Sequence, residues 1–210
     1  MLKAISFLLV LLSVSLFAQQ SEGFIKTAFN ALQSGDSKSA VENYSKSIEI
    51  KKDYAPAYYG RGLAKYNLED YDSALDDFRK TLDLDPNYFE SFYSIGIILT
   101  KQKDYANAIK NLSNSISLSS SYPEAYYARG NVYFYQKNWE RALQDYNKSI
   151  SLLPTYGLPY YARAVAHKEL GHKKDALKDF DKYLQLNGNK DKLQKEVERL
   201  IKEIEESDKD

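Results

Sequence analysis

Three arginines and three aspartates recur at one separation. Arg61, Arg129 and Arg163 each stand sixteen residues before Asp77, Asp145 and Asp179. The matching positions elsewhere hold Thr27 with Asn43 and Ile95 with Asn111, so the two charges occur together or not at all. Guanidinium forks of this kind either capture an acidic ligand or form structural ion pairs. Joint presence and absence favours three ion pairs, each within an antiparallel helical hairpin. His167 and His172 are five residues apart, ~140° around a helix. That is poor geometry for a shared metal, and no H-E-x-x-H pattern accompanies it. Both read as surface or packing residues, so neither a metal nor a cofactor is expected. No Gly-rich phosphate loop or G-x-S-x-G nucleophile turn occurs. Zero cysteines exclude a thiolate nucleophile, a thiolate metal site and a disulfide framework. An enzyme is not expected.

The elements that position these residues follow from composition and period. The chain has 210 residues, 43% hydrophobic and 28% charged, which argues for a folded chain rather than a disordered one. Its 29 basic and 29 acidic residues cancel. Without a continuous basic stripe, nucleic acid is not an expected partner. The first residues read as an address. Met1-Leu2-Lys3 supplies a basic start, and Ala4 to Ala18 is an apolar run broken only by serines. That run is short for a membrane span and has the layout of a secretory signal. Residues 1–18 are therefore expected to be a signal peptide. The mature chain would begin near Gln19, without a membrane span, in the periplasm or outside the cell.

Beyond the leader, Ala40, Ala74, Ala108, Ala142 and Ala176 recur every 34 residues without an insertion. Ala57-Tyr58-Tyr59-Gly60-Arg61-Gly62 returns as Ala125-Tyr126-Tyr127-Ala128-Arg129-Gly130. Five units follow, 21–54, 55–88, 89–122, 123–156 and 157–190, together spanning 21–190. Each reads as two helices. All five prolines (Pro56, Pro86, Pro123, Pro154, Pro159) fall between the second helix of one unit and the first turn of the next. There a missing N–H and a fixed φ are tolerated. An apolar stripe at Leu193, Val197, Leu200, Ile201 and Ile204 predicts a capping helix over 191–206, leaving 207–210 as a tail.

The pattern resembles the tetratricopeptide repeat. An aromatic near the start of each unit (Phe24, Tyr58, Phe92, Tyr126, Tyr160) is followed four positions later by a small residue (Ala28, Gly62, Gly96, Gly130, Ala164). The repeated alanine of the second helix and a large residue four positions on (Tyr44, Phe78, Leu112, Tyr146, Phe180) complete it. The late proline appears only as Pro86 and Pro154. The resemblance implies an all-α fold, a right-handed superhelical α-solenoid of helix-turn-helix units. It also implies a concave groove that holds peptides. Tyr59, Tyr93, Tyr127 and Tyr161, with Ile25 as an apolar first rung, take the ladder position that faces such a groove. One helical turn on lie Phe29, Leu63, Ile97, Asn131 and Val165; Leu32, Tyr66, Thr100, Phe134 and Lys168 lie toward the other edge. Asn131 and the tyrosine hydroxyls would supply hydrogen bonds to a ligand. The family's lysine grip on a peptide carboxylate has no counterpart, since tyrosine or isoleucine stands at that position.

These residues point to an exported, non-enzymatic adaptor that binds a protein or peptide segment. The alternative is a structural repeat protein that self-associates, as a homo-oligomer, through its exposed helices or its cap.

Overall fold

The computed structural model describes residues 2–187 and 193–206, with side chains from residue 17 onward. The tail 207–210 and the first residues of the expected cap lie outside the described residues. Among the described residues every regular element is helical. The helices are α1 (Leu2–Gln33), α2 (Ser37–Ile50), α3 (Ala55–Asn67), α4 (Tyr71–Leu84), α5 (Phe89–Lys101) and α6 (Tyr105–Leu118). They continue with α7 (Pro123–Tyr135), α8 (Trp139–Leu152), α9 (Gly157–Glu169), α10 (Lys173–Asn187) and α11 (Gln194–Glu206). They form two compact units, Met1–Ile95 and Gly96–Asp210. Both are built from helix-turn-helix hairpins, the construction of an α-solenoid. Among the described residues no helix is long and apolar enough to cross a membrane.

One turn is used five times. Gly35, Glu69, Lys103, Lys137 and Gly171 all have positive φ, between 58° and 84°. Each is flanked by two backbone hydrogen bonds of a Schellman closure. After α7, Lys137 N donates to Phe134 O and Asn138 N donates to Tyr133 O, at 2.8 and 2.9 Å. Three of the five positions hold a side chain where glycine would be strain-free. The next helix then starts on a side-chain cap. Asp36, Asp70, Asp104 and Asn138 accept from the backbone N–H of Ser39, Ser73, Asn107 and Arg141 at 3.1 to 3.3 Å. The cap satisfies one of the donors that a helix start leaves open.

Close approach within each hairpin comes from small residues facing large ones. The five repeated alanines are all fully buried. At Gly62 an added Cβ would stand 2.7 Å from the Phe78 ring, and at Gly130 it would stand 2.6 Å from the Tyr146 ring. Helix axes this close leave no room for even one methyl group. In the first unit Ala28, Ala40, Tyr44, Ile48, Ala57 and Ala64 form one buried cluster. In the second, Ala142 and Tyr146 pack with Ala162 and Ala166.

The last hairpin ends differently. Ser47, Thr81, Ser115 and Ser149 are small and buried, whereas the matching Tyr183 is large and also fully buried. It joins Tyr160, Phe180, Val197, Leu200 and Ile204, so the apolar stripe of α11 closes the end of the second unit.

Ala142 is an exacting test of this packing. Ala142→Leu is expected to cost about 1–3 kcal/mol by overpacking, read as a lower urea midpoint with an unchanged slope.

Candidate functional site

The arginines build a three-helix fork. Arg61 on α3 donates through Nε and Nη2 to both carboxylate oxygens of Asp77 on α4, at 2.9 and 2.7 Å. Arg129 and Asp145 repeat the arrangement at 2.8 Å for both bonds, and Arg163 and Asp179 at 2.6 Å for both. Each carboxylate is almost fully buried, and each arginine side chain is about one-fifth exposed. A third bond runs the other way along the chain. Arg61 Nη1 donates to Ser45 on α2, Arg129 Nη1 to Ser113 on α6, and Arg163 Nη1 to Asn147 on α8. Each guanidinium also lies over the ring of the tyrosine three residues before it, at 5.5 to 5.9 Å from Tyr58, Tyr126 and Tyr160. Every arginine thus ties its own hairpin to the preceding helix. Three of the five N–H donors of each guanidinium are thereby engaged within the protein.

Tyrosines at the repeat boundary are structural as well. The hydroxyls of Tyr58, Tyr126 and Tyr160 donate to Lys52 O, Ser120 O and Pro154 O, at 3.1, 3.4 and 3.3 Å. They clamp the connection that leads into their own helix.

Ladder tyrosines occupy a second set of positions. Tyr59 packs on Phe78 and Tyr88, with ring centroids 5.6 and 4.9 Å away. Tyr127 packs on Tyr146 and Tyr156, and Tyr161 on Phe180 and Tyr183. All four ladder residues, Tyr93 included, are half-buried. Burial raises the pKa of Tyr59, Tyr127 and Tyr161 above the ordinary phenol value. Their hydroxyls stay protonated and can donate. Side-chain hydrogen bonds with Ser94 and Asn131 oppose the rise at Tyr59 and Tyr127.

In the first unit these residues line an open cleft of about 640 Å³. Ile25, Phe29 and Leu32 form one wall, and Tyr54, Tyr59, Leu63 and Tyr88 form the other, with Glu22, Lys26 and Gln33 also lining it. Phe29 is 52% exposed, an unusual state for a phenylalanine. Tyr66 is not part of that lining and packs at a tilt against Tyr71, with ring centroids 5.5 Å apart.

In the second unit the expected groove residues are partly engaged. Ile97 is half-buried. Asn131, expected to serve a ligand, accepts a hydrogen bond from Tyr146 at 2.8 Å. The oxygen is drawn inward because the buried Tyr146 hydroxyl needs an acceptor. Phe134 packs edge-on against Trp139 at 4.8 Å. Tyr161 and Val165 pack against the cluster that includes Val197, Leu200 and Ile204 of α11. Lys168, on the same face, pairs with Glu203 at 3.3 Å. The capping helix therefore shares the face that the fifth repeat would offer to a ligand.

The histidine pair departs from expectation. His167 Nδ1 and His172 Nδ1 lie 3.4 Å apart. Spacing around a single helix placed them ~140° apart, but the positive-φ turn at Gly171 ends α9 before His172 is reached.

The repeat pattern has independent support. The tetratricopeptide repeat matches residues 55–88, 123–156 and 159–190. A further TPR repeat pattern matches 32–69 and 96–137. Together these leave only 89–95 and 157–158 unmatched between 32 and 190. The chain belongs to the tetratricopeptide repeat family. Solved structures share its fold. MamA from Desulfovibrio magneticus RS-1 is 24% identical, covering 82% of this chain and 97% of its own, with a TM-score of 0.71. Pseudomonas aeruginosa pilF is 21% identical over 82% of this chain and 79% of its own, with a TM-score of 0.76. YrrB, a TPR protein with an unusual peptide-binding site, is 23% identical over 83% and 93%, with a TM-score of 0.64. No curated protein matches the chain in sequence.

The fork makes a sharp energetic prediction. Asp145→Asn alone is expected to cost about 3–5 kcal/mol, because it strands a desolvated guanidinium. Asp145→Asn combined with Arg129→Leu is expected to cost less than the sum of the two single changes. Urea unfolding of all four proteins checks this, and additive losses would exclude the coupling.

Proposed function

We propose that this chain is an exported, non-enzymatic adaptor that holds a segment of a partner protein against its tyrosine ladder. The observation that carries the reading is the first-unit cleft, where an exposed Phe29 faces two half-buried tyrosines, Tyr54 and Tyr59. Aromatic walls with hydroxyl-bearing tips suit a segment that offers apolar side chains and a few polar groups. Tetratricopeptide repeats are a protein-interaction scaffold, and the peptide-binding site named for YrrB is on the same fold. The second-unit ladder contributes Tyr127, whereas Tyr161 and Val165 are given over to the cap. Every residue of the first-unit cleft follows Ala18, so removal of a leader at that point leaves it whole.

Capture from an envelope or secreted extract tests the cleft. Phe29→Ser and Tyr59→Ala are expected to retain less partner than the parent chain. Phe29→Ser should keep the parent melting temperature, because its side chain is half exposed. Equal capture by these folded variants would defeat the assignment, and concentration-dependent sedimentation of the purified chain would favour self-association.

Export rests on residues 1–18 and has its own test. A phosphatase active only outside the cytoplasm, fused after residue 30, is expected to be active with a new N-terminus at Gln19. An inactive, uncleaved fusion would remove the leader from the proposal.

A further inference from the structure

We propose that His167, His172 and Asp175 form a binding site for a divalent transition-metal ion of the Zn²⁺ class. The site lies in the second unit, at the turn between α9 and α10. Its three residues can each offer one ligand atom, and these atoms all lie within 4.8 Å of one another. Two nitrogens bound tetrahedrally to Zn²⁺ at its usual bond length stand about 3.3 Å apart. The two Nδ1 atoms are 3.4 Å apart before any ion is considered.

The turn brings the two histidines together. His172 N donates to His167 O at 2.8 Å, the long closure of the Schellman motif. That closure brings the side chains at its two ends together. In the other four hairpins the same two positions hold Ala31 with Asp36, Lys65 with Asp70, Leu99 with Asp104, and Tyr133 with Asn138. Position 175 is brought to the same place by the first turn of the next helix. Its counterparts show this, because Lys65 reaches Ser73 O at 3.4 Å and Arg141 lies over the Tyr133 ring at 5.5 Å. Only the fifth hairpin fills all three positions with metal-ligating side chains.

Local chemistry agrees. His172 replaces the Asp or Asn that caps the other four second helices, and so gives up a cap that is generally stabilising. His167 is half-buried, and His172 and Asp175 are exposed. Two imidazoles and one carboxylate suit Zn²⁺ and its neighbours, whereas Ca²⁺ and Mg²⁺ prefer all-oxygen sets. Three protein ligands leave a fourth position for water or for a group from a partner.

Titration of the chelator-treated full chain with Zn²⁺ alone, followed by calorimetry, tests the site. Binding with a stoichiometry of one is expected, together with a rise in the unfolding midpoint. His172→Asn and His167→Leu carry residues that neighbouring hairpins already use at these positions, so both are expected to fold. Each should weaken Zn²⁺ binding by at least about 100-fold and abolish the midpoint shift. With Co²⁺ in place of Zn²⁺, the parent chain should show intense tetrahedral visible bands that both variants lack. Absence of binding to the parent chain, or retained binding in either folded variant, overturns the proposal.

Discussion

The whole architecture depends on how closely two helices of one hairpin approach. At Gly62, Gly96 and Gly130 the opposing side chains of Phe78, Leu112 and Tyr146 occupy the space that a Cβ would need. Each contact joins positions sixteen apart in the chain. The same offset joins arginine to aspartate on the adjacent position, so the fork and the close contact belong to one register. A tight positive-φ turn sets that register by ending the first helix abruptly. Were the turn a residue longer, the small residue would meet the wrong partner and the buried charges would part.

The fork converts this local register into coupling between repeats. Its carboxylate is buried within the hairpin, while its outer nitrogen reaches back to a serine or asparagine on the preceding helix. Buried charges persist only when their hydrogen-bonding capacity is met. The backward bond therefore favours one placement of the neighbouring helix. Where the fork is missing, the arginine position is held by another residue, as by the buried Ile95. Tyrosine serves the same end, with one position clamping the connection into a hairpin and the next forming the ladder.

Much of this was legible in the chain. The 34-residue period, the alanine series, the arginine–aspartate offset and the proline placement all follow from side-chain type and spacing. The third partner of the fork was not, because Ser45, Ser113 and Asn147 are short polar residues of mixed type and belong to the neighbouring repeat. Turns centred on Glu69, Lys103 and Lys137 were hidden for a related reason. Long charged side chains do not advertise a left-handed backbone.

By itself the sequence determined the number of hairpins, which faces are buried and which arginines meet which aspartates. Those properties depend on period and polarity, and both are written residue by residue. Tertiary structure alone decided that His167 and His172 face each other, that Asn131 turns inward to Tyr146, and that α11 shares the face of Tyr161 and Val165. In each case the deciding contact joins residues that do not share a helix. Helical periodicity orders residues within one helix, and it carries no information about what a reversing turn or a terminal cap brings against them.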